Sequence, residues 1–188
     1  MRIIAGKYKG CRLKGPGGRE FRPTSDRVKE AVFSILQFAI EGRHVLDLYA
    51  GSGSLGLEAL SRNAAGCTFV ESNKKHAAIL KENLAKVLQG EPAEVLIAPA
   101  DQAITFLKGK SCCFDIVFID PPYGMEQSYD TLFLLGQAEG VINGSSVVVV
   151  EHAAKVRLSD EYGLLQKTRE CCYGDTRISF FQLGRGSC

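Results

Sequence analysis

The chain has 188 residues, 45% of them hydrophobic and 23% charged, the balance of a globular protein able to bury one full core. Its longest apolar runs, such as Val147 to Val150, fall far short of the ~20 residues of a membrane helix, and its start turns polar too early for a secretory signal, so a cytoplasmic protein is expected. Net charge is +2, but residues 1–30 hold nine basic and three acidic residues, a net of +6 that leaves −4 on the rest; a basic arm on an acidic body suits either a polyphosphate partner or a merely solvated surface.

In chain order, Arg2 to Leu13, broken by Gly6 and Gly10, predicts a small hairpin, and Gly15 to Gly18 a loop. A helix is predicted from Thr24-Ser25-Asp26, with Val28, Ala31, Val32, Ile35 and Ala39 on one stripe. Residues 1–40 thus read as a basic accessory arm packed on a main domain, residues 41–188. That domain alternates strands and helices as in a parallel, helix-flanked sheet. Strands are predicted over His44 to Tyr49, Gly66 to Glu71, Glu94 to Ala98, Phe114 to Ile119 and Ser145 to Glu151. Helices follow the first four strands, ending near Arg62, Leu88, Leu107 and Ala138. The chain closes on two strands, Leu164 to Tyr173 and Thr176 to Leu183, joined by a tight Gly174-Asp175 turn. The fold class is α/β, a doubly wound sheet with an antiparallel hairpin at the end.

Between the first strand and its helix lies Asp47-Leu48-Tyr49-Ala50-Gly51-Ser52-Gly53-Ser54-Leu55-Gly56. Glycines there allow a tight turn and close approach to a ligand, and Glu71, followed by Ser72, is spaced to meet the hydroxyls of a ribose. Nicotinamide and flavin proteins share this pattern. A carboxylate four residues before the first glycine repels a pyrophosphate but suits the ammonium and sulfonium of S-adenosylmethionine. Asp101 opens the helix after the third strand, either to accept from an adenine amino group or as a plain N-cap. Asp120-Pro121-Pro122-Tyr123 ends the fourth strand, beside the expected crossover of the sheet. The prolines remove amide donors and leave carbonyls exposed, so Asp120 and the Pro121 carbonyl can accept both N–H bonds of a base amine and aim its lone pair at a methyl donor. Tyr123 offers a face for stacking. The seven cysteines include no Cys-x-x-Cys spacing, so neither a metal site nor a disulfide framework is expected. None follows a proline, the usual setting of the nucleophile in cytosine-C5 methylation.

With these residues in view the chain resembles the RsmD family of bacterial 16S rRNA guanine-N2 methyltransferases. The likeness rests on Arg2 to Gly6, Arg22-Pro23-Thr24-Ser25-Asp26-Arg27-Val28-Lys29-Glu30, Asp47 to Leu60, Asp120 to Tyr123 and Tyr173 to Thr176. It implies a seven-stranded class I methyltransferase (Rossmann-like) sheet and S-adenosylmethionine as cofactor, with Asp47, Gly51, Gly53 and Glu71 around the cofactor and Asp120 to Tyr123 around the guanine; Tyr49, Ala50, Ser52, Ser72 and Asp101 are the further candidates for the cofactor site. It implies 16S rRNA in the 30S subunit or a precursor as substrate; Arg2, Lys7, Lys9, Arg12, Arg22, Thr24 and Arg27 of the basic arm are the candidate contacts, and a monomer is expected. Thr24 and Asp26 can equally be helix-start residues. Only 63 residues separate Gly56 from Asp120 and 65 follow Tyr123, so no inserted recognition domain is expected and specificity falls to the arm and the shape of the substrate. The rival readings are a DNA adenine-N6 methyltransferase with the same Asp-Pro-Pro-Tyr chemistry, a nucleic-acid-binding module with a degenerate pocket and, third, an NAD-dependent oxidoreductase.

Overall fold

The computed structural model describes residues 1–15, 26–110, 112–122, 129–138 and 140–184. One mixed sheet runs through it in the order β3-β2-β1-β4-β5-β8-β7-β6. The five strands β1 (His44–Asp47), β2 (Gly66–Val70), β3 (Ala93–Leu96), β4 (Ile116–Ile119) and β5 (Val147–Ala153) are all parallel. β8 (Thr176–Leu183) runs antiparallel to β5 and pairs with β7 (Leu165–Tyr173) across a two-residue turn in which Gly174 takes φ 62°. Beyond β7 lies β6 (Glu161–Tyr162), a two-residue edge strand, so the described sheet has eight strands where seven are expected. Two residues carry no hydrophobic period, which is why β6 is invisible in the sequence.

β4 is buried at all four positions, as a central parallel strand with helices on both faces must be. One face packs Leu46, Val117 and Val148 with Ala103 of α4 (Ala100–Gly109) and Leu132 of α5 (Asp130–Gly136). The other packs Val45, Phe118 and Val149 with residues of α1 (Asp26–Ile35), α2 (Ser54–Ser61) and α3 (Lys74–Val87). The rings of Phe33 and Phe118 lie 5.6 Å apart. The buried side of α1 is Val28, Lys29, Val32 and Phe33, rotated from the predicted stripe, in which Ala31 and Ile35 are only half-buried. Lys29 accounts for the rotation: a lysine reads as solvent-facing, yet here it is 1% exposed.

Lys29 Nζ lies 3.4 Å from the buried Glu58 of α2 and donates to the Arg2 carbonyl at 2.6 Å. Glu58 also accepts from the amides of Ile4 and Ala5 and from Arg62 Nε, at 2.7, 3.0 and 2.9 Å. Burial pushes the Lys29 ammonium below its usual range, and the Glu58 charge opposes that shift. The first residues are thereby latched to α2. They form the predicted hairpin, with Arg2 bridged to Arg12 and Ile3 N bonded to Cys11 O at 3.0 Å. No helix among the described residues is long and apolar enough to cross a membrane.

Candidate active site

The parallel order reverses between β1 and β4, and the carboxyl ends of these strands open the crevice where ligands of doubly wound sheets bind. The glycine turn follows β1. Gly51 and Gly53 take φ 54° and 83°; a β-carbon at Gly53 would sit 2.5 Å from Leu80 Cδ1, so this left-handed corner admits glycine alone. Gly56 has a different task. A β-carbon there would meet the Phe69 ring at 2.2 Å, so its absence lets α2 lie directly on β2.

Three carboxylates converge on this crevice. Asp47, 1% exposed, accepts from the Gly56 amide at 3.1 Å through one oxygen, while Oδ1 has no hydrogen-bond partner among the described residues. Burial first, then the charges of Asp120 and Glu71, push its carboxyl up to about 7, against the opposing amides of Gly56 and Tyr49. A buried orphan acceptor among like charges is a place prepared for a cation or a donor. Glu71 accepts from Gly51 N at 2.9 Å and Asn73 N at 2.7 Å, holding the turn while each oxygen retains a further lone pair. These features fit a cationic nucleoside better than a pyrophosphate.

The other expected cofactor residues divide. Ala50 and Ser52 are buried in the turn, and Ser72 is exposed beside Glu71. Tyr49 turns aside and its hydroxyl bonds Thr131 Oγ1 at 2.9 Å, tying the turn to α5. Asp101 is exposed in the first turn of α4, and Pro99 holds the N-cap position, so Asp101 is not the cap. Sequence reasoning missed Asn83 of α3. Buried to 1%, it exchanges bonds with Lys14 N and O and donates to Ser52 O, each at 2.9 Å, joining the arm's root to the glycine turn. A lone Asn in a helix pattern gives no sign of this.

Asp120 follows β4 half-buried, with Pro121 buried and Pro122 exposed beyond it. Tyr123, Arg22 and Thr24 lie outside the described residues. In the arm, Arg2 pairs with Asp26 at 3.0 Å, Lys7 with Glu91, and Lys14 with Glu82 at 2.7 Å. Burial raises the Glu91 carboxyl, but hydrogen bonds from Lys7 and Tyr8 prevail and bring it down to about 2. Part of the arm's positive charge therefore docks it to the acidic body, while Lys9, Arg12 and Arg27 remain exposed. No cluster of His, Cys, Asp or Glu able to hold a metal occurs among the described residues.

The family model described as Conserved hypothetical protein 95 matches residues 1–182. The chain belongs to the RsmD family. The Ribosomal RNA small subunit methyltransferase D of Escherichia coli (strain K12) is 38% identical over 151 residues, covering 80% of this chain and 74% of that protein. YlbH of Bacillus subtilis (strain 168) is 36% identical over 182 residues, 97% of this chain and 98% of its own. The solved structure of yhhF from Escherichia coli superposes with a TM-score of 0.81 at 34% identity, covering 97% of each chain. The sheet is accordingly a class I, Rossmann-like methyltransferase sheet.

Proposed function

We propose that the chain transfers a methyl group from S-adenosylmethionine to the exocyclic N2 amine of a guanine in 16S rRNA, within the 30S subunit or a precursor of it. The coarser statement, an S-adenosylmethionine-dependent rRNA methyltransferase of the small-subunit type, follows from the family. That the methyl acceptor is a base amine is supported by one observation above all: Asp120 stands at the carboxyl end of β4 near Asp47, whose Oδ1 has no hydrogen-bond partner among the described residues, so an amine acceptor adjoins a pocket suited to a cation. The choice of guanine N2 in 16S rRNA rests on the family likeness, carried above all by Arg22 to Glu30.

Bound S-adenosylmethionine supplies an electrophilic methyl on a sulfonium. Asp47 and the turn from Tyr49 to Gly53 would hold its charged end, Glu71 and Ser72 its ribose, and Asp101 its adenine. Asp120 and the Pro121 carbonyl accept the two amine hydrogens and turn the nitrogen lone pair towards the methyl, while Tyr123 stacks on the base. Transfer would form the nitrogen–carbon bond as the sulfonium's carbon–sulfur bond broke, releasing the neutral thioether, and the methylated nitrogen would shed its proton to solvent. Residues 1–40 serve as the arm that grips RNA, through Arg2, Lys7, Lys9, Arg12, Arg22, Thr24 and Arg27, and residues 41–188 as the methyltransferase domain, acting as a monomer. Mass-spectrometric mapping of 16S rRNA from a deletion strain should find one N2-methylguanine missing, restored by incubating its 30S particles with the protein. Complete modification without the protein would refute the reading.

A further inference from the structure

Glu151 belongs to none of the motifs read from the sequence. It lies in β5, whose Val150 pairs with Ile119 of β4. Asp120 and Glu151 come next, side by side at the carboxyl ends of neighbouring parallel strands, which stand about 4.8 Å apart. Alternation along a strand places Asp120 on the face of Phe118 and Glu151 on the face of Val149. Those faces are one and the same, because Phe118 and Val149 share a core cluster with Val32, Leu55 and Ile178. Both acidic residues line a single narrow cleft with these apolar neighbours, and Glu151 is 8% exposed. Glu151 thus adjoins the residue that takes the amine.

The edge of a base that carries its amine distinguishes the purines. Guanine presents N1–H beside its 2-amine, two donors side by side, with the N3 lone pair on the amine's other flank. Adenine presents an N1 lone pair beside its 6-amine. We propose that Glu151 is a specificity-determining residue that accepts the N1–H of the guanine whose amine Asp120 holds. A base with an acceptor at that position would set its lone pair against the carboxylate and leave both unpaired, the arrangement that discriminates most strongly in polar sites. Asp120 thus orients the nucleophile, and Glu151 reads which base carries it. This inference rests on the guanine-N2 activity given above.

The test uses 2-aminopurine, which keeps the 2-amine of guanine but has an unprotonated N1. The full chain and S-adenosylmethionine are given 30S particles reconstituted with guanine or 2-aminopurine at the mapped position, and single-turnover rates are compared. The wild-type protein should prefer guanine by roughly 10-fold to 100-fold, the worth of a hydrogen bond to a charged group. Glu151→Gln, whose amide can donate to a bare N1, should shrink that preference by about 10-fold or more, with S-adenosylhomocysteine binding by calorimetry retained. An unchanged preference in a variant that still binds S-adenosylhomocysteine overturns the proposal. Equal rates for wild type on the two bases overturn it without any variant. If the methyl instead maps to another base, the activity itself is misread and the role of Glu151 falls with it. If N2-methylguanine forms while the preference ignores residue 151, only the role of Glu151 is lost.

Discussion

Asp47 shows how a single residue can be costly to the fold and useful to the site. Its folded carboxyl is raised to about 7 from an ordinary 3.8, so between those values the folded protein holds a proton that the unfolded chain releases. The stability this provides is complete below 3.8 and lost as pH rises through about 7. A cationic ligand favours the ionised form, so cofactor affinity should rise as pH increases through neutrality, with protons released on binding. Calorimetry in buffers of different ionisation enthalpy would show this, and pH-independent binding would contradict it. Asp47→Asn should lose that pH dependence and bind cofactor more weakly. For Asp120→Ala the expected outcome is a fall in methyl transfer of roughly 100-fold or more, with S-adenosylhomocysteine binding kept. A variant with normal turnover would remove Asp120 from the mechanism.

Between elements, two buried polar residues carry the connections. Glu58 holds Lys29, Arg62 and the amides of Ile4 and Ala5, so Glu58→Ala leaves a lysine charge buried without its partner. Such losses cost about 3–5 kcal/mol, which denaturant unfolding would register; a change under about 1 kcal/mol would show that the latch contributes little. Asn83 joins Lys14 to Ser52. Asn83→Ala strands the buried Ser52 carbonyl and the partly buried Lys14 groups, at about 1–3 kcal/mol for a buried group that finds no substitute. Because one of them belongs to the glycine turn, the apparent KM for S-adenosylmethionine should rise along with the fall in Tm. A lower Tm with unaltered KM would make Asn83 structural only.

Over the whole molecule, charge works in two directions. The acidic body draws in the arm through Lys7 with Glu91 and Lys14 with Glu82, while Lys9, Arg12 and Arg27 are left facing solvent. If these meet phosphates, reversing Arg12 and Arg27 to Glu should weaken binding to 30S particles and lower the slope of log K against log salt by about 1 for each phosphate no longer neutralised. Filter binding over a salt series would measure it, and an unaltered slope would exclude these two residues from the interface.

The periodicity of apolar residues sufficed for the α/β class, the five parallel strands and the closing hairpin, because burial on two faces leaves its mark in consecutive Val, Ile and Phe. The glycine turn, Glu71 and Asp120 were legible for a similar reason: local backbone geometry and strand ends dictate those residue types. Tertiary structure alone decided the rest. Lys29, Glu58, Asn83 and Glu151 look like surface residues in the sequence, and each is buried by partners distant along the chain. No local pattern can report that, since the free energy of a buried polar group depends on which atoms the fold brings to meet it. The positions of the glycine turn and of Asp120 at strand ends can thus be read in one dimension, whereas the orphaned oxygen of Asp47 and the juxtaposition of Asp120 with Glu151 exist only once β1, β4 and β5 lie side by side.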